Sequence, residues 1–210
     1  KPGAPVFVSK QPEHVLEVFR RHAAQTESRL YYFPDYPAAF SAAVDHAGTH
    51  LFLQWRGTSE PVIELDLAMQ GEVQAENAGL ALTVLRELLP ERFSSPYYEN
   101  MLHAIATAVL PGRMELCGTD PPIVLDGAHT PTSVRRTVAT FQRIYGTDGI
   151  CIFGSVEGKD TAGMAAAIST AFTDIIISRP GTFKPNKPEE VARVFREVAP
   201  QAELQLEPKE

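Results

Sequence analysis

The segment Leu125-Asp126-Gly127-Ala128-His129-Thr130-Pro131 places a carboxylate and an imidazole three residues apart in a chain turn. The apolar run Ile123-Val124-Leu125 precedes it, and Val134, Val138 and Phe141 follow at helical spacing, so the context is strand, turn, helix. Thr130 suits the helix N-cap and Pro131 the first helical position. Asp126 and His129 are therefore expected at the C-terminal end of a strand, where open α/β sheets bind their ligands. The free N–H groups and dipole of the following helix favour an anion there. The plainer alternative stays open: Asp126 caps the loop and His129 is a surface histidine.

Three further side chains have types that suit the same chemistry. Arg113, in Pro111-Gly112-Arg113-Met114-Glu115, offers a forked, permanently charged donor for phosphate, or a salt bridge to Glu115. Asn77, in Gln74-Ala75-Glu76-Asn77-Ala78, can donate and accept and so can read an adenine edge, or is an ordinary polar helix residue. Lys159 follows the apolar run that ends near Phe153, with Asp160 as the expected N-cap of the next helix. It is expected over the same sheet edge as His129, where it can meet a carboxylate substrate; a solvated loop lysine is the alternative.

These residues need a scaffold, and the pattern changes midway. In the first half, residues 6–8 and 30–33 read as short strands around a helix carrying Val15, Leu16, Phe19 and Ala23. Residues 34–48 give no clear signal. Residues 51–55 and 62–65 read as a hairpin joined by Arg56-Gly57-Thr58-Ser59-Glu60, a loop longer than two residues. Helices are expected around Ala78 to Leu89 and Tyr98 to Ala108. At Leu110-Pro111-Gly112 a domain boundary is expected, dividing the chain into residues 1–109 and 110–210. Beyond it, Ile123-Val124-Leu125, Ile150-Cys151-Ile152-Phe153 and Ile175-Ile176-Ile177 alternate with helical patterns, and Leu204 and Leu206 start one more strand. That alternation predicts βαβ units, hence a mainly parallel, doubly wound sheet of the Rossmann-like α/β class.

Other classes are disfavoured. The net charge of −7 gives no basic stripe for nucleic acid. No apolar run approaches the roughly 20 residues of a membrane span, and no basic segment precedes an apolar one as in a secretory signal. The chain starts at Lys1, which leaves room for sequence upstream. Neither G-x-x-x-x-G-K-[ST] nor G-x-G-x-x-G occurs, nor do H-E-x-x-H or C-x-x-C metal patterns. Cys117 and Cys151 read as reduced, buried thiols of a cytoplasmic protein. His14, His22, His46, His50 and His103 are scattered and read as structural.

Taken together, these segments resemble the folylpolyglutamate synthase and dihydrofolate synthase branch of the Mur ligase superfamily. Lys1-Pro2-Gly3-Ala4-Pro5-Val6 is similar to that branch's K-P-G-x-P-V segment, and Gln74 to Ala78 to its H-Q-x-x-N-A element. Gly112-Arg113-Met114-Glu115 is similar to G-R-x-E, Leu125 to Pro131 to L-D-G-A-H-N-P, and Gly158-Lys159-Asp160 to D-K-D. The order and spacing are family-like over nearly the whole chain.

The resemblance implies an ATP-dependent ligase that joins L-glutamate to a folate or pteroate carboxylate through an acyl phosphate. It implies a monomer with no nucleic-acid or membrane partner. Asn77 matches the position that touches adenine, Arg113 and Asp126 those that contact phosphate and ribose, and His129 a histidine near the phosphates. Lys159 is the candidate for the glutamate carboxylate. Residues 1–109 then correspond to part of the central ATPase domain, and residues 110–210 to the C-terminal ligase domain. The family's phosphate loop, magnesium ligands and modified lysine lie upstream of K-P-G, so this chain alone is expected to be inactive, with metal ligands outside it. Thr130 replaces the usual asparagine, and Thr130-Pro131 is similar to the A-H-T-P of muramyl tripeptide ligases, which also carry G-R-M-E. Gly127 after Asp126 favours the folate branch. A muramyl-peptide ligase and a non-catalytic ligand-binding module are the alternatives.

Overall fold

Leu16 and Ala23, seven residues apart, are the buried positions of the first helix, α1 (Glu13–Gln25). This spacing puts both on one helical face. The helix joins two short parallel strands, β1 (Val6–Val8) and β2 (Leu30–Tyr32), in register Val6↔Leu30. The computed structural model describes residues 1–57, 60–94, 96–181 and 184–207. Thr58 and Ser59, within the expected hairpin loop, lie outside the described residues.

A 3-10 turn (Phe33–Asp35) leads into an antiparallel sheet of β3 (Pro37–Asp45), β4 (Gly48–Trp55) and β5 (Ile63–Leu67), in that order. The hairpin expected from residues 51–55 and 62–65 is β4 with β5, paired Leu53↔Ile63. The stretch left unassigned by its sequence is mostly β3. Its alanine-rich run carries little β-propensity of its own, and the strand exists because β4 supplies the ladder. Leu51, Leu53 and Trp55 alternate inward along β4. They pack with Ala75, Ala78 and Leu82 of α2 (Glu72–Leu88), beside α3 (Tyr98–Thr107). Gly79 permits this closeness, because a Cβ there would lie 2.4 Å from the Phe33 ring.

The chain divides into two units, Lys1–Leu110 and Pro111–Glu210. The second begins with an antiparallel hairpin of β6 (Glu115–Thr119) and β7 (Pro122–Leu125). Then come α4 (Pro131–Tyr145), β8 (Ile150–Phe153), α5 (Thr161–Ile168), β9 (Asp174–Ser178), α6 (Pro188–Val198) and β10 (Glu203–Glu207). The last three strands form a parallel sheet in the order β10-β9-β8. Ile175 and Ile177 are buried in it, with Phe195, Met164 and Ile168 packed from the helices.

Two expectations need correction. The strand at residues 123–125 was expected in the parallel sheet, but β7 hydrogen-bonds only to β6 and not to β8. A strand's own residues do not encode its neighbour, and β6, with Glu115 and Gly118, is too polar and irregular to announce itself. A cavity of about 160 Å³ lies between Val124 and Asp126 on one side and Ile150 and Ile152 on the other. Cys117, expected to be buried, is exposed on β6, because the residues of the β6–β7 hairpin are mostly exposed along both strands. Cys151 is mostly buried, and burial pushes its thiol up to about 12. Among the described residues, no helix is long and apolar enough to cross a membrane.

Candidate functional site

Arg113 sits on a turn that the Asp126 segment holds in place. Gly127 N–H donates to Gly112 O at 2.8 Å, and Met114 N–H donates to Asp126 Oδ2 at 2.9 Å. Glu115 Oε2 accepts from Gly112 N–H at 2.7 Å. The glutamate therefore braces the turn instead of pairing with Arg113. Met114 has a left-handed backbone, φ 49°, uncommon for a residue with a side chain. The Arg113 guanidinium runs along Gly127, its Nη1 3.6 Å from where a Cβ on that glycine would stand.

Thr130 caps α4 as expected. Its side chain accepts from Ser133 N–H, and the Ser133 hydroxyl accepts from Thr130 N–H, a reciprocal capping box with Pro131 at the first position. His129 Nδ1 lies 2.9 Å from Gly127 O. A carbonyl can only accept, so Nδ1 carries a proton, and in the Nδ1–H tautomer Nε2 is the acceptor. Asp126 is more engaged than its family match implied. Oδ1 accepts from Ala128 N–H at 2.8 Å and from the Thr137 hydroxyl at 2.9 Å, besides the bond of Oδ2 to Met114.

Lys159 lies on the loop after β8, and Asp160 caps α5 by accepting from Gly163 N–H at 2.9 Å. Pro131 and Gly163 meet where the first turns of α4 and α5 adjoin; a Cβ on Gly163 would lie 2.7 Å from Pro131 Cγ. The loops carrying His129 and Lys159 thus end side by side. A cavity of about 330 Å³ beside Lys159 is lined by Ser155, Thr161, Lys187 and Arg193, among others. Lys187 is paired with Glu157 and Glu190. Among the described residues, neither the Arg113 nor the Lys159 side chain makes a hydrogen bond or ion pair. In a chain of net charge −7, two such cations near a helix N-terminus favour an anionic ligand.

Asn77 lies in the second turn of α2, in the first unit; that helix starts at Glu72, after Gly71. Its Nδ2 donates to Gln74 Oε1 at 3.3 Å, which leaves its carbonyl oxygen for a ligand. No group of three or more His, Cys, Asp or Glu residues among the described residues is arranged to hold a metal ion.

Sequence reasoning passed over Met114 and Thr137. A threonine inside an amphipathic helix is an ordinary residue until its partner is seen. His50, read as structural, bridges two carboxylates, Asp66 at 2.6 Å and Asp45 at 2.9 Å. The three side chains come from β3, β4 and β5, a juxtaposition that only strand register creates.

Residues 112–208 match the family described as Mur ligase, glutamate ligase domain. The chain is 29% identical over 164 residues to a probable bifunctional folylpolyglutamate synthase/dihydropteroate synthase of Halobacterium salinarum, covering 70% of this chain and 19% of that protein. It is 28% identical over 212 residues to the mitochondrial folylpolyglutamate synthase of Cricetulus griseus, covering 86% and 33%. The folylpolyglutamate synthase of Mycobacterium tuberculosis, solved with ADP and AMPPCP, has the same fold over 97% of this chain and 45% of its own, with a TM-score of 0.81 at 23% identity. A folylpolyglutamate synthase–AMPPCP–folate complex matches with a TM-score of 0.71 at 20% identity, covering 100% and 51%. The chain spans about half or less of the length of each of these proteins.

Proposed function

We propose that this chain, whose residues 112–208 match the family described as Mur ligase, glutamate ligase domain, serves in the ATP-dependent joining of L-glutamate to a folate or pteroate carboxylate. One observation carries the reading. The G-R-M-E turn and the L-D-G-A-H segment are hydrogen-bonded into one cluster that leaves the Arg113 cation without a partner among the described residues. The nucleotide and folate bound to the solved relatives support the same chemistry.

The roles follow from chemical type. Arg113 presents two parallel N–H donors to phosphate oxygens. Asp126 keeps one acceptor direction for a ribose hydroxyl, and Asn77 offers an amide to adenine. His129 Nε2 faces the transferring phosphate, and Lys159 takes the glutamate carboxylate. In this reaction ATP supplies the phosphoryl group that activates the acceptor carboxylate. The chain's own residues bind and orient; positive charge held where negative charge develops is the main way such a site accelerates phosphoryl transfer. Residues 1–109 act as part of the ATP-binding domain, residues 110–210 as the ligase domain, in a cytoplasmic monomer with no nucleic-acid or membrane partner.

The test is ADP release with ATP, magnesium, glutamate and a reduced folate. It is run on the longest natural polypeptide containing this chain and on the 210-residue chain itself. Folate-dependent turnover is expected from the longer polypeptide and none from the chain alone, which has no phosphate-loop motif. Turnover with a UDP-muramyl peptide in place of folate would transfer the assignment to the peptidoglycan branch. Retention of nucleotide or glutamate without turnover in any form would make it a binding module.

A further inference from the structure

We propose that Thr137 is a positioning residue for the ligation reaction, acting through Asp126 on the turn that carries Arg113. The proposal rests on the reading of the site given above. It starts from Asp126, whose carboxylate offers about four acceptor directions. Three are filled by donors from three different segments: Met114 N–H on the 112–115 turn, Ala128 N–H on the following loop, and Thr137 Oγ1 in α4. Three bonds in fixed directions leave the carboxylate one orientation.

Thr137 is the member of this set supplied by a side chain. In a helix interior a threonine hydroxyl commonly bonds back to the carbonyl four residues earlier. Here it donates to Asp126, eleven residues earlier in the chain, and so ties the second turn of α4 to the loop before the helix. With the hydroxyl gone, the carboxylate is held by two bonds instead of three, Ala128 N–H to Oδ1 and Met114 N–H to Oδ2, and resists turning about its Cβ–Cγ bond less.

Met114 links that rotation to Arg113. Its φ of 49° is unfavourable for a residue with a side chain. It persists because the amide is held by Asp126 Oδ2 and the side chain is buried. If the carboxylate turns, Met114 N–H loses its acceptor and the turn relaxes. Arg113, the residue before it, then leaves its path along Gly127. Thr137 touches no reacting atom in this scheme; its effect reaches the nucleotide through Asp126, Met114 and Arg113 in sequence.

The test compares Thr137→Val, which keeps the shape and removes the donor, with Thr137→Ser, which keeps the donor. In the longest natural polypeptide containing the chain, Thr137→Val should lower kcat/KM for ATP by about 10- to 100-fold, the range for groups misplaced away from the chemistry. KM for glutamate should stay within about two-fold, and Thr137→Ser should restore ATP kcat/KM to near the parent value. In the 210-residue chain, hydrogen exchange at the Met114 amide should be faster in Thr137→Val than in Thr137→Ser. Equal ATP parameters in the two variants would overturn the proposal, as would parallel losses for ATP and glutamate. If the parent polypeptide shows no folate-dependent turnover, the functional reading fails. The exchange measurement then decides the positioning claim alone, and equally slow Met114 exchange in both variants would overturn it.

Discussion

The ring of Pro131 occupies the space in front of Gly163. A Cβ on that glycine would lie 2.7 Å from Pro131 Cγ and also 2.7 Å from Asp160 Oδ2. Two helix N-termini therefore meet through the Pro131 ring, and the loops carrying His129 and Lys159 are set side by side because Gly163 has no side chain of its own.

Gly163→Ala should consequently destabilise the second unit. In an open helix this change stabilises by up to about 1 kcal/mol through propensity. Here the methyl group meets a rigid ring and a capping carboxylate, and overpacking of that kind costs about 1–3 kcal/mol. Urea unfolding of the chain gives the sign directly, and a stabilised Gly163→Ala protein would contradict the close approach.

Arg113→Ala should separate function from stability. Among the described residues the guanidinium has no hydrogen bond or ion pair to lose, so the unfolding midpoint should move by less than the equivalent of about 0.5 kcal/mol. Turnover in the longest natural polypeptide should fall by about 100- to 1,000-fold, as for the loss of one preorganised charge-stabilising donor. A variant that unfolds early, with activity lost in proportion, would show Arg113 to be structural.

His50 should titrate above the ordinary histidine value of 6.5, because Asp45 and then Asp66 accept hydrogen bonds from its ring and favour the charged form. A raised folded value means that its stabilisation is fully present below 6.5 and is lost as pH rises through the folded value. Asp45 is held below its ordinary 3.8, chiefly by the bond from His50, so its share is present above 3.8 and is lost as pH falls through the lowered value. The stability difference between the parent chain and His50→Gln should therefore be largest between those limits and shrink toward alkaline pH. A His50 ring resonance titrating at or below 6.5 would remove the basis for this.

The two thiols should differ sharply in reactivity. Cys117 is exposed, whereas burial pushes the Cys151 thiol up to about 12, so almost no Cys151 thiolate exists at pH 8. A disulfide-exchange reagent at that pH should label one thiol per native chain, absent in Cys117→Ser, and the second only after unfolding. Two fast equivalents in the native protein would count against the burial of Cys151.

Much of the second unit was legible because its local signals agree with its tertiary surroundings. Thr130 and Asp160 read as N-caps and are N-caps. The apolar run at residues 175–177 became β9, with Ile175 and Ile177 buried, and the run at residues 150–153 became its parallel neighbour β8, which ends the strand order with Ile150 and Ile152 exposed. Residues 37–45 were opaque for the converse reason. Their alanines carry no strand preference, and β3 is defined by its partner β4.

The sequence by itself determined most of the elements, the caps at Thr130 and Asp160 and the chemical types at the site: a guanidinium, a carboxylate, an imidazole and an ammonium, each on a turn. The tertiary structure alone decided their partners. It paired β7 with β6 instead of β8, closed His50 between Asp45 and Asp66, and filled the Asp126 carboxylate with Met114, Ala128 and Thr137. Periodicity and capping act over a few residues and are written in local order. Hydrogen-bond partners across a sheet edge or a loop depend on register and on the positions of distant segments, which no local pattern encodes.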